Sequence, residues 1–230
     1  MTSTGCSKPS SSLPTPLWAA QVAAATPLPD ARLNTRLEYL LTHWADKPLD
    51  AFPQAMPNCH QAKATYRFLS NERVLPLALL TGLRDTTAGA LASLPLVYVS
   101  HDTATFSYSS LKHTTGLGYV NDSETARGLH CHSSLAIRPD GVALGLLHQH
   151  YWVRLELRKT RLPDRDEADK ESIKWIHGLD ATQQALDTLP VTQRPRVVHI
   201  MDREGDIHDV FAKVLLLDMG RLFAAIITAA

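Results

Sequence analysis

Cysteine and an excess of charge of either sign are both scarce in this chain. Three cysteines, Cys6, Cys59 and Cys131, are scattered through 230 residues with no paired spacing. An odd, scattered set is typical of a reducing compartment and argues against a structural zinc site. Lysine plus arginine and aspartate plus glutamate both number 23, so the net charge is zero. Composition alone therefore gives no reason to expect a nucleic-acid or membrane partner.

Long apolar runs are also missing. The longest apolar tail, 222–230, is far shorter than the roughly 20 residues that a membrane helix needs. The N-terminus is rich in Ser, Thr and Pro and has no apolar segment of the signal-peptide kind. Because 44% of the residues are hydrophobic, the chain can bury a substantial core. We expect a soluble, globular, cytoplasmic protein with no membrane partner.

The first 95 residues predict a helical module behind a disordered leader. The leader is 1–16, where Ser, Thr and Pro are dense. Asp30 predicts the cap of a helix that runs to about Trp44 with one apolar stripe. The pattern also predicts helices over 17–25, from Asn58 to Leu69 and over 76–94, with a loop over 47–57. We assign 17–95 to one helical domain.

From Leu96 onward the hydrophobic period becomes that of strands. Strands are predicted over 96–102, 103–110, 128–137, 142–152, 196–202 and 221–228, with helices over 170–189 and from the predicted cap Asp206 to 217. The order is an antiparallel meander followed by parallel crossovers. The predicted fold class is α/β: an N-terminal helical module, then an incomplete ribonuclease H-like mixed sheet with flanking helices over 96–230.

Two apolar strands of this core end in aspartate, at Asp102 and at Asp202. Side chains at the carboxyl ends of strands in an α/β sheet project into the crevice where ligands bind. If these strands are neighbours, the carboxylates meet, and paired carboxylates repel each other unless a cation lies between them. A hard divalent ion such as magnesium suits such oxygen ligands. Asp102 and Asp202 are therefore the candidate metal ligands.

Several motifs follow one another in a fixed order. They are Asp102-Thr103-Ala104 at a strand end, Asp169–Ser172 with Lys174-Trp175, and the run Asp202–His208. Together they resemble the DDE transposases, in the bacterial insertion-sequence group typified by the transposase of a kanamycin-resistance composite transposon. The resemblance spans roughly Leu17 to Phe223, and any one motif alone would be weak. The family commonly has Asp-Thr-Thr at the first motif, a small departure because the aspartate is the ligand.

The helical module is similar to the DNA-end-binding domain of that group. The residues that carry this likeness are Trp18-Ala19, Leu28, Asp30, Arg32 and Ala62-Lys63-Ala64 with Tyr66-Arg67-Phe68. On this basis Lys63, Tyr66 and Arg67 are the candidate DNA-binding residues, since side chains of these types contact phosphates. The alternative is a plain helix surface, with Tyr66 part of the core.

The resemblance implies cutting and rejoining of DNA at transposon ends, with Mg²⁺ or Mn²⁺ as cofactor and a homodimer that brings two ends together. Asp102 and Asp202 correspond to the first two catalytic carboxylates. The third is a glutamate on a later helix, within a Tyr, Arg, Glu, Lys signature that this sequence does not contain, so we expect a truncated or frameshifted copy, and an inactive chain stays an open alternative. Glu171 opens a crossover helix and Glu204 lies two residues beyond Asp202, so neither is a good substitute.

Four histidines alternate along two neighbouring predicted strands: His130, His132, His148 and His150. Alternate residues of a strand share a face. If Ile137 pairs with Val142, Cys131 lies opposite His148 and the two histidine pairs point to opposite faces. We therefore expect no four-histidine metal site unless a bulge shifts the register.

Two further functions are compatible with the sequence. One is a DNA-binding protein without catalysis, either a decayed remnant or an inhibitor that occupies DNA ends or joins a full-length partner. The other is a metal-dependent nuclease unrelated to transposition. Cleavage at transposon ends, binding without cleavage, and cleavage without preference for ends distinguish the three.

Overall fold

The computed structural model describes residues 15–121, 123–156, 173–217 and 222–224. Several sequence-based expectations lie outside this part of the chain: the leader over 1–14, the motif Asp169–Ser172, and 225–228 of the last predicted strand. In the described ranges, no helix combines the length and the apolar character that crossing a bilayer requires.

The N-terminal part of the described chain is helical, as predicted. Its helices are α1 (Thr15–Ala25), α2 (Ala31–Asp46), α3 (Phe52–Ala55), α4 (Cys59–Leu69) and α5 (Pro76–Leu91). Asp30 caps α2, because its carboxylate accepts a hydrogen bond from the Arg32 amide, and Asn58 caps α4 in the same way. The short α3 lies in the segment predicted as a loop. Pro53 occupies its first turn, where a missing N–H costs nothing.

Two hydrophobic clusters organise these helices. Buried side chains of α1 to α4, among them Leu40 and Phe68, form one cluster. Ala88 and Leu91 of α5 belong to another, together with Val97 and Val99 of the sheet. The helix α5 therefore packs on the sheet through these residues, while its Leu79 packs against the cluster of the preceding helices.

The rest of the described chain forms one mixed sheet with flanking helices. Its elements are β1 (Leu96–Ser107), β2 (Gly118–Tyr119), β3 (Arg127–Ile137), β4 (Ala143–Trp152), α6 (Ile173–Asp187), β5 (Arg196–Ile200), α7 (His208–Leu217) and β6 (Leu222–Ala224). The strand order is β2-β3-β1-β5-β6, and β4 also pairs with β3. The pairs β1–β3 and β3–β4 are antiparallel, whereas β1–β5 and β5–β6 are parallel. This confirms the predicted α/β class with helices before a mixed sheet.

The structure corrects three local predictions. The strands expected over 96–102 and 103–110 are one continuous strand, because β3 pairs with β1 along its length as far as Ser107. The two-residue strand β2 was not predicted. Asp206 does not sit directly before α7; it ends a 3₁₀ turn over Arg203–Gly205, and α7 begins at His208.

The pairing of β3 with β4 corrects the histidine register. Ile137 pairs with Ala143 instead of Val142, and two further one-residue shifts follow, one next to Gly145 and one that leaves out Leu147. Gly145 has φ +147°, a conformation that side chains rarely adopt, which is typical of a bulge. As a result, His132 faces His150, and His148 faces Ser134. All four histidines of the two strands therefore share one face, contrary to the prediction from an unshifted hairpin.

The helix α6 lies against this histidine face at very close range. A Cβ atom added to Gly178 would lie 2.7 Å from His101 Nδ1 and 2.8 Å from Ser134 Oγ. The His101 ring cannot easily move away, because Ser134 and His199 hold its two nitrogens. Glycine at 178 thus lets the helix backbone approach the sheet.

We expect Gly178→Ala to destabilise the protein by about 1–3 kcal/mol, since the added methyl group has no space in a packed interface. Gly89→Ala is the matched control: it also changes a helical glycine, but its Cβ meets nothing within 4 Å. It should stabilise by up to about 1 kcal/mol through helix propensity alone. Urea unfolding of both variants measures the difference, and equal effects of the two changes would contradict the close approach.

Candidate functional site

The two candidate metal ligands lie just beyond the parallel pairing of β1 and β5. Five consecutive residue pairs join these strands in constant register, from Leu96 with Arg196 to Ser100 with Ile200. Asp102 and Asp202 each follow two residues after the last pair, and both are exposed. Neighbouring strands lie about 4.8 Å apart, so the two aspartates follow adjacent strand ends at one edge of the sheet.

The Asp202 carboxylate is oriented by its own turn. Asp202 keeps extended backbone (φ −79°, ψ −178°) and then starts the 3₁₀ turn, and its Oδ1 accepts a hydrogen bond of 2.9 Å from the Glu204 amide. Asp102 remains inside β1, opposite Ser133 of β3. Within the described part of the chain, no group of three or more His, Cys, Asp or Glu side chains is arranged to hold a metal ion. The metal role of Asp102 and Asp202 stays a prediction.

On the opposite face of the sheet, buried histidines make a hydrogen-bonded layer. His101 Nε2 and His199 Nδ1 are 2.8 Å apart, and Ser134 Oγ lies 2.9 Å from His101 Nδ1. Whichever way the hydrogen bonds run, one of the two facing nitrogens, His101 Nε2 or His199 Nδ1, must donate and the other must accept. Protonating both rings would place two N–H donors against each other, so the arrangement requires that at least one of them stays neutral.

A second group of histidines extends this layer under α6. His132 Nδ1 lies 2.9 Å from Thr103 Oγ1, and its ring meets the buried Trp175 ring of α6 edge-on at 4.7 Å between centroids. His150 approaches His177 of α6 in the same edge-on manner at 5.9 Å. The layer therefore connects β1, β3, β4 and β5 with the helix above them.

Burial lowers the pKa of these histidines. It lowers the pKa of His132 to about 3, with a further contribution from the positive charge of Lys174. Burial lowers the pKa of His199 to about 4 and, with His150 and His177 nearby, that of His148 to about 4. The pKa of His101 also lies well below its usual value, first because of burial and then because of His199. The native fold thus keeps this layer uncharged near neutral pH.

The candidate DNA-binding residues form the outer face of α4. Lys63, Tyr66 and Arg67 are all exposed, whereas Ala62, Thr65 and Phe68 of the same helix are buried. Tyr66 is 54% exposed, and its ring contacts the Phe52 ring edge-on at 4.7 Å. Tyr66 is therefore a surface residue whose ring packs on Phe52, not part of the core. Two cations and a phenol hydroxyl on one helix face are suited to phosphate contact.

A polar clamp fixes α4 against α2. The Arg36 guanidinium donates to the Gln61 carbonyl at 2.6 Å and to Thr65 Oγ1 at 3.1 Å. Because these contacts occupy the inner side of α4, the outer side chains project from a helix of fixed orientation. Arg36 thus has a structural role, which the sequence did not indicate.

Sequence reasoning missed two features of this region. The first is the histidine layer, for which the only signal was a glycine inside a predicted strand, Gly145, as the mark of a bulge. The second is a contact between Lys174 of α6 and Glu204 of the Asp202 turn, at 3.3 Å between Nζ and Oε2. The sequence places Lys174 in a motif but indicates no role for it.

Comparison with protein families identifies one segment of the chain. Residues 15–74 match the model of the transposase DNA-binding family, which covers α1 to α4 and includes Lys63, Tyr66 and Arg67. The matched segment is about a quarter of the chain. The comparison with curated proteins found no match. The family match supports a transposase or DNA-binding role, with DNA as the partner.

We predict that stability falls on acidification from pH 7 to pH 5. An unfolded histidine has a pKa of about 6.5. Below that pH, the histidines of the unfolded chain bind protons but those of the native layer do not, because the pKa of His132 is lowered to about 3 and that of His199 to about 4. The contribution of these histidines to the free energy of unfolding is therefore fully present above about pH 6.5 and is lost toward pH 4. The slope is up to about 1.4 kcal/mol per pH unit for each histidine.

Urea unfolding at several pH values measures this slope, and His132→Gln should reduce it by about one histidine's share. His208→Gln is the control, since the His208 side chain is 92% exposed. A flat profile in the wild type, or the same slope in His132→Gln, would contradict the account of a neutral buried layer.

Proposed function

We propose that the chain is a transposase of the DDE kind, in which the helical module binds DNA ends and the sheet carries metal-dependent phosphoryl transfer. The observation that carries this proposal is the family match over 15–74, in the same helices that present Lys63, Tyr66 and Arg67 to solvent. A module of this type needs a partner domain if DNA is to be cut as well as bound. The sheet is the candidate for that domain.

The topology of the sheet supports a ribonuclease H-like core. Three antiparallel strands, β4, β3 and β1, are followed in space by the parallel strands β5 and β6. The sequence pattern predicts this combination of a meander and parallel crossovers. In such a core, Asp102 on the central strand and Asp202 after its parallel neighbour are the first two carboxylates of the catalytic set.

The donor set fits Mg²⁺ or Mn²⁺. Exposed carboxylates offer the hard oxygen ligands that these ions prefer. When bound, such ions activate a nucleophilic oxygen and stabilise the leaving oxygen in phosphoryl transfer. The chain's own contribution is orientation: β1 and β5 align the two aspartates, and the Glu204 amide holds one oxygen of Asp202.

A second function, DNA binding without catalysis, is favoured by a different observation. The family match covers the DNA-binding segment alone, and the described residues contain no set of three acidic or histidine ligands around one point. On this reading the protein occupies DNA ends, as a remnant or as an inhibitor. Both functions require the same DNA-binding surface, so binding and cleavage must be tested separately.

We predict that Lys63→Ala and Arg67→Ala each weaken DNA binding. Each should also make the fall of log affinity with log salt concentration less steep, by about 1. The physical reason is that each cation lost is one phosphate contact fewer and one counterion fewer released. Duplexes tiled across the DNA on either side of the chain's own gene serve as probes, and fluorescence anisotropy at several salt concentrations gives the slope.

Arg138→Gln is the control for this measurement. It removes one positive charge from the β3–β4 turn, where Arg138 pairs with Asp140, outside the matched DNA-binding segment. Its salt slope should equal that of the wild type. If all three variants weaken binding equally, the effect is one of net charge, and the α4 surface is not the DNA contact.

We predict that, if the two aspartates suffice without the third glutamate, the purified chain nicks a bound duplex only when Mg²⁺ or Mn²⁺ is added, and that Asp102→Asn and Asp202→Asn each abolish nicking while DNA affinity stays within about twofold. Amide oxygens are far weaker ligands for hard cations than carboxylates are. Strand breaks are counted on labelled duplexes in denaturing gels.

The results divide the candidate functions. Nicking at a preferred end supports the transposase, whereas nicking of any duplex with equal efficiency indicates an unrelated nuclease. Tight, salt-dependent binding with no metal-dependent nicking in the wild type contradicts catalysis and leaves the DNA-binding function.

A further inference from the structure

Lys174 places an ammonium group where water hardly reaches it. It is the second residue of α6, and its side chain is only 8% exposed. Its Nζ lies 5.4 Å from the centroid of the Trp175 ring and 5.7 Å from that of the Trp152 ring. A buried lysine is rare unless a negative charge compensates for its lost hydration.

The compensating charge is Glu204. Its Oε2 lies 3.3 Å from Lys174 Nζ, although the Glu204 side chain is 64% exposed and could extend into solvent. The two partners are therefore unequal. The Lys174 ammonium is buried near two indole rings, whereas Glu204 belongs to a surface turn, so Lys174 is the fixed partner of the ion pair.

Glu204 connects this fixed point to Asp202 through its backbone. Its amide donates to Asp202 Oδ1 at 2.9 Å. The same turn is tightly seated on the core, since a Cβ atom at Gly205 would lie 2.8 Å from Met201 Cβ. A shift of Glu204 therefore moves the donor that orients the Asp202 carboxylate.

We propose that Lys174 is a positioning residue: through its ion pair with Glu204, it holds the Asp202 turn in the orientation in which Asp202 binds a divalent cation. This inference rests on the proposed function, in which Asp202 is a metal ligand. Lys174 itself touches neither the ion nor DNA in this role. It acts from the crossover helix and links α6 to the carboxylate edge of the sheet.

The direction of the effect separates positioning from simple electrostatics. Lys174→Met keeps an apolar side chain near the two indole rings but removes the charge. If Lys174 acted only as a nearby positive charge, its removal would strengthen cation binding, because one repulsive interaction disappears. If Lys174 positions the turn, its removal weakens cation binding, since Glu204 and its amide are released.

The first experiment titrates the full chain with Mn²⁺ and measures the free ion by electron paramagnetic resonance. We expect Asp202→Asn to lose binding and Lys174→Met to weaken it by about tenfold, the usual size of effect for residues that orient metal ligands. In the Lys174→Met background, Glu204→Gln should cause no further loss, because both changes break the same link.

Lys213→Met is the matched control. Lys213 of α7 pairs with Asp180 of α6, so this change also removes a lysine that bridges α6 to a neighbouring element, away from the Asp202 turn. Its Mn²⁺ affinity should stay within about twofold of the wild type. Affinity in Lys174→Met that equals or exceeds the wild-type value, with Asp202→Asn still defective, would overturn the positioning role.

The second experiment needs no metal. Hydrogen exchange of the Glu204 amide, followed by nuclear magnetic resonance, reports directly on its bond to Asp202. We expect exchange to be about tenfold faster in Lys174→Met and unchanged in Lys213→Met. If the wild type binds no Mn²⁺, the proposed metal function fails. Faster exchange in Lys174→Met then still supports the hold on the turn, whereas unchanged exchange overturns it.

Discussion

The parallel pairing of β1 with β5 is the constraint on which the rest of the structure depends. Five backbone pairs in constant register bring together segments a hundred positions apart. Because strand side chains alternate between faces, this register puts valines of both strands in the core and points Asp102 to the other side. A slip of one residue in either strand would turn Asp102 and Asp202 toward opposite faces. The candidate metal site therefore requires the register as much as the aspartates.

Part of the inner face of the same sheet is polar, beside the apolar cluster that includes Val97 and Val99. His101, His132 and His199 are buried there under α6, held by one another and by Ser134 and Thr103. Such a layer is compatible with folding only while its rings stay neutral and its hydrogen bonds are made. The close approach of α6 at Gly178 encloses it. The first turn of the same helix carries Lys174, so one element both covers the histidines and reaches the turn of Asp202.

The helices and the main strands could be predicted because each has a local signal. Asp30 and Asn58 cap helices, and the apolar runs that end at Asp102 and Asp202 are strands of a buried sheet. Each of these features depends on a few neighbouring residues and on a simple period. The α/β class follows from their order along the chain.

Features set by contacts between distant residues could not be predicted. The pairing of Ile137 with Ala143 instead of Val142 decides which face His148 and His150 occupy, and two later register shifts set the residues that they oppose. The ion pair of Lys174 with Glu204 joins residues on two different elements. The exposure of Tyr66 depends on how α4 packs, since its own helix pattern is compatible with core or surface.

The central claim is that Asp102 and Asp202 share a divalent cation at the edge formed by β1 and β5. The most direct test is anomalous diffraction from crystals of the full chain soaked in Mn²⁺. The account predicts an anomalous peak between the two carboxylates, at about 2.0–2.3 Å from an oxygen of each, as expected for a small hard cation. A peak bound elsewhere, or two carboxylates too far apart to touch one ion, would contradict it.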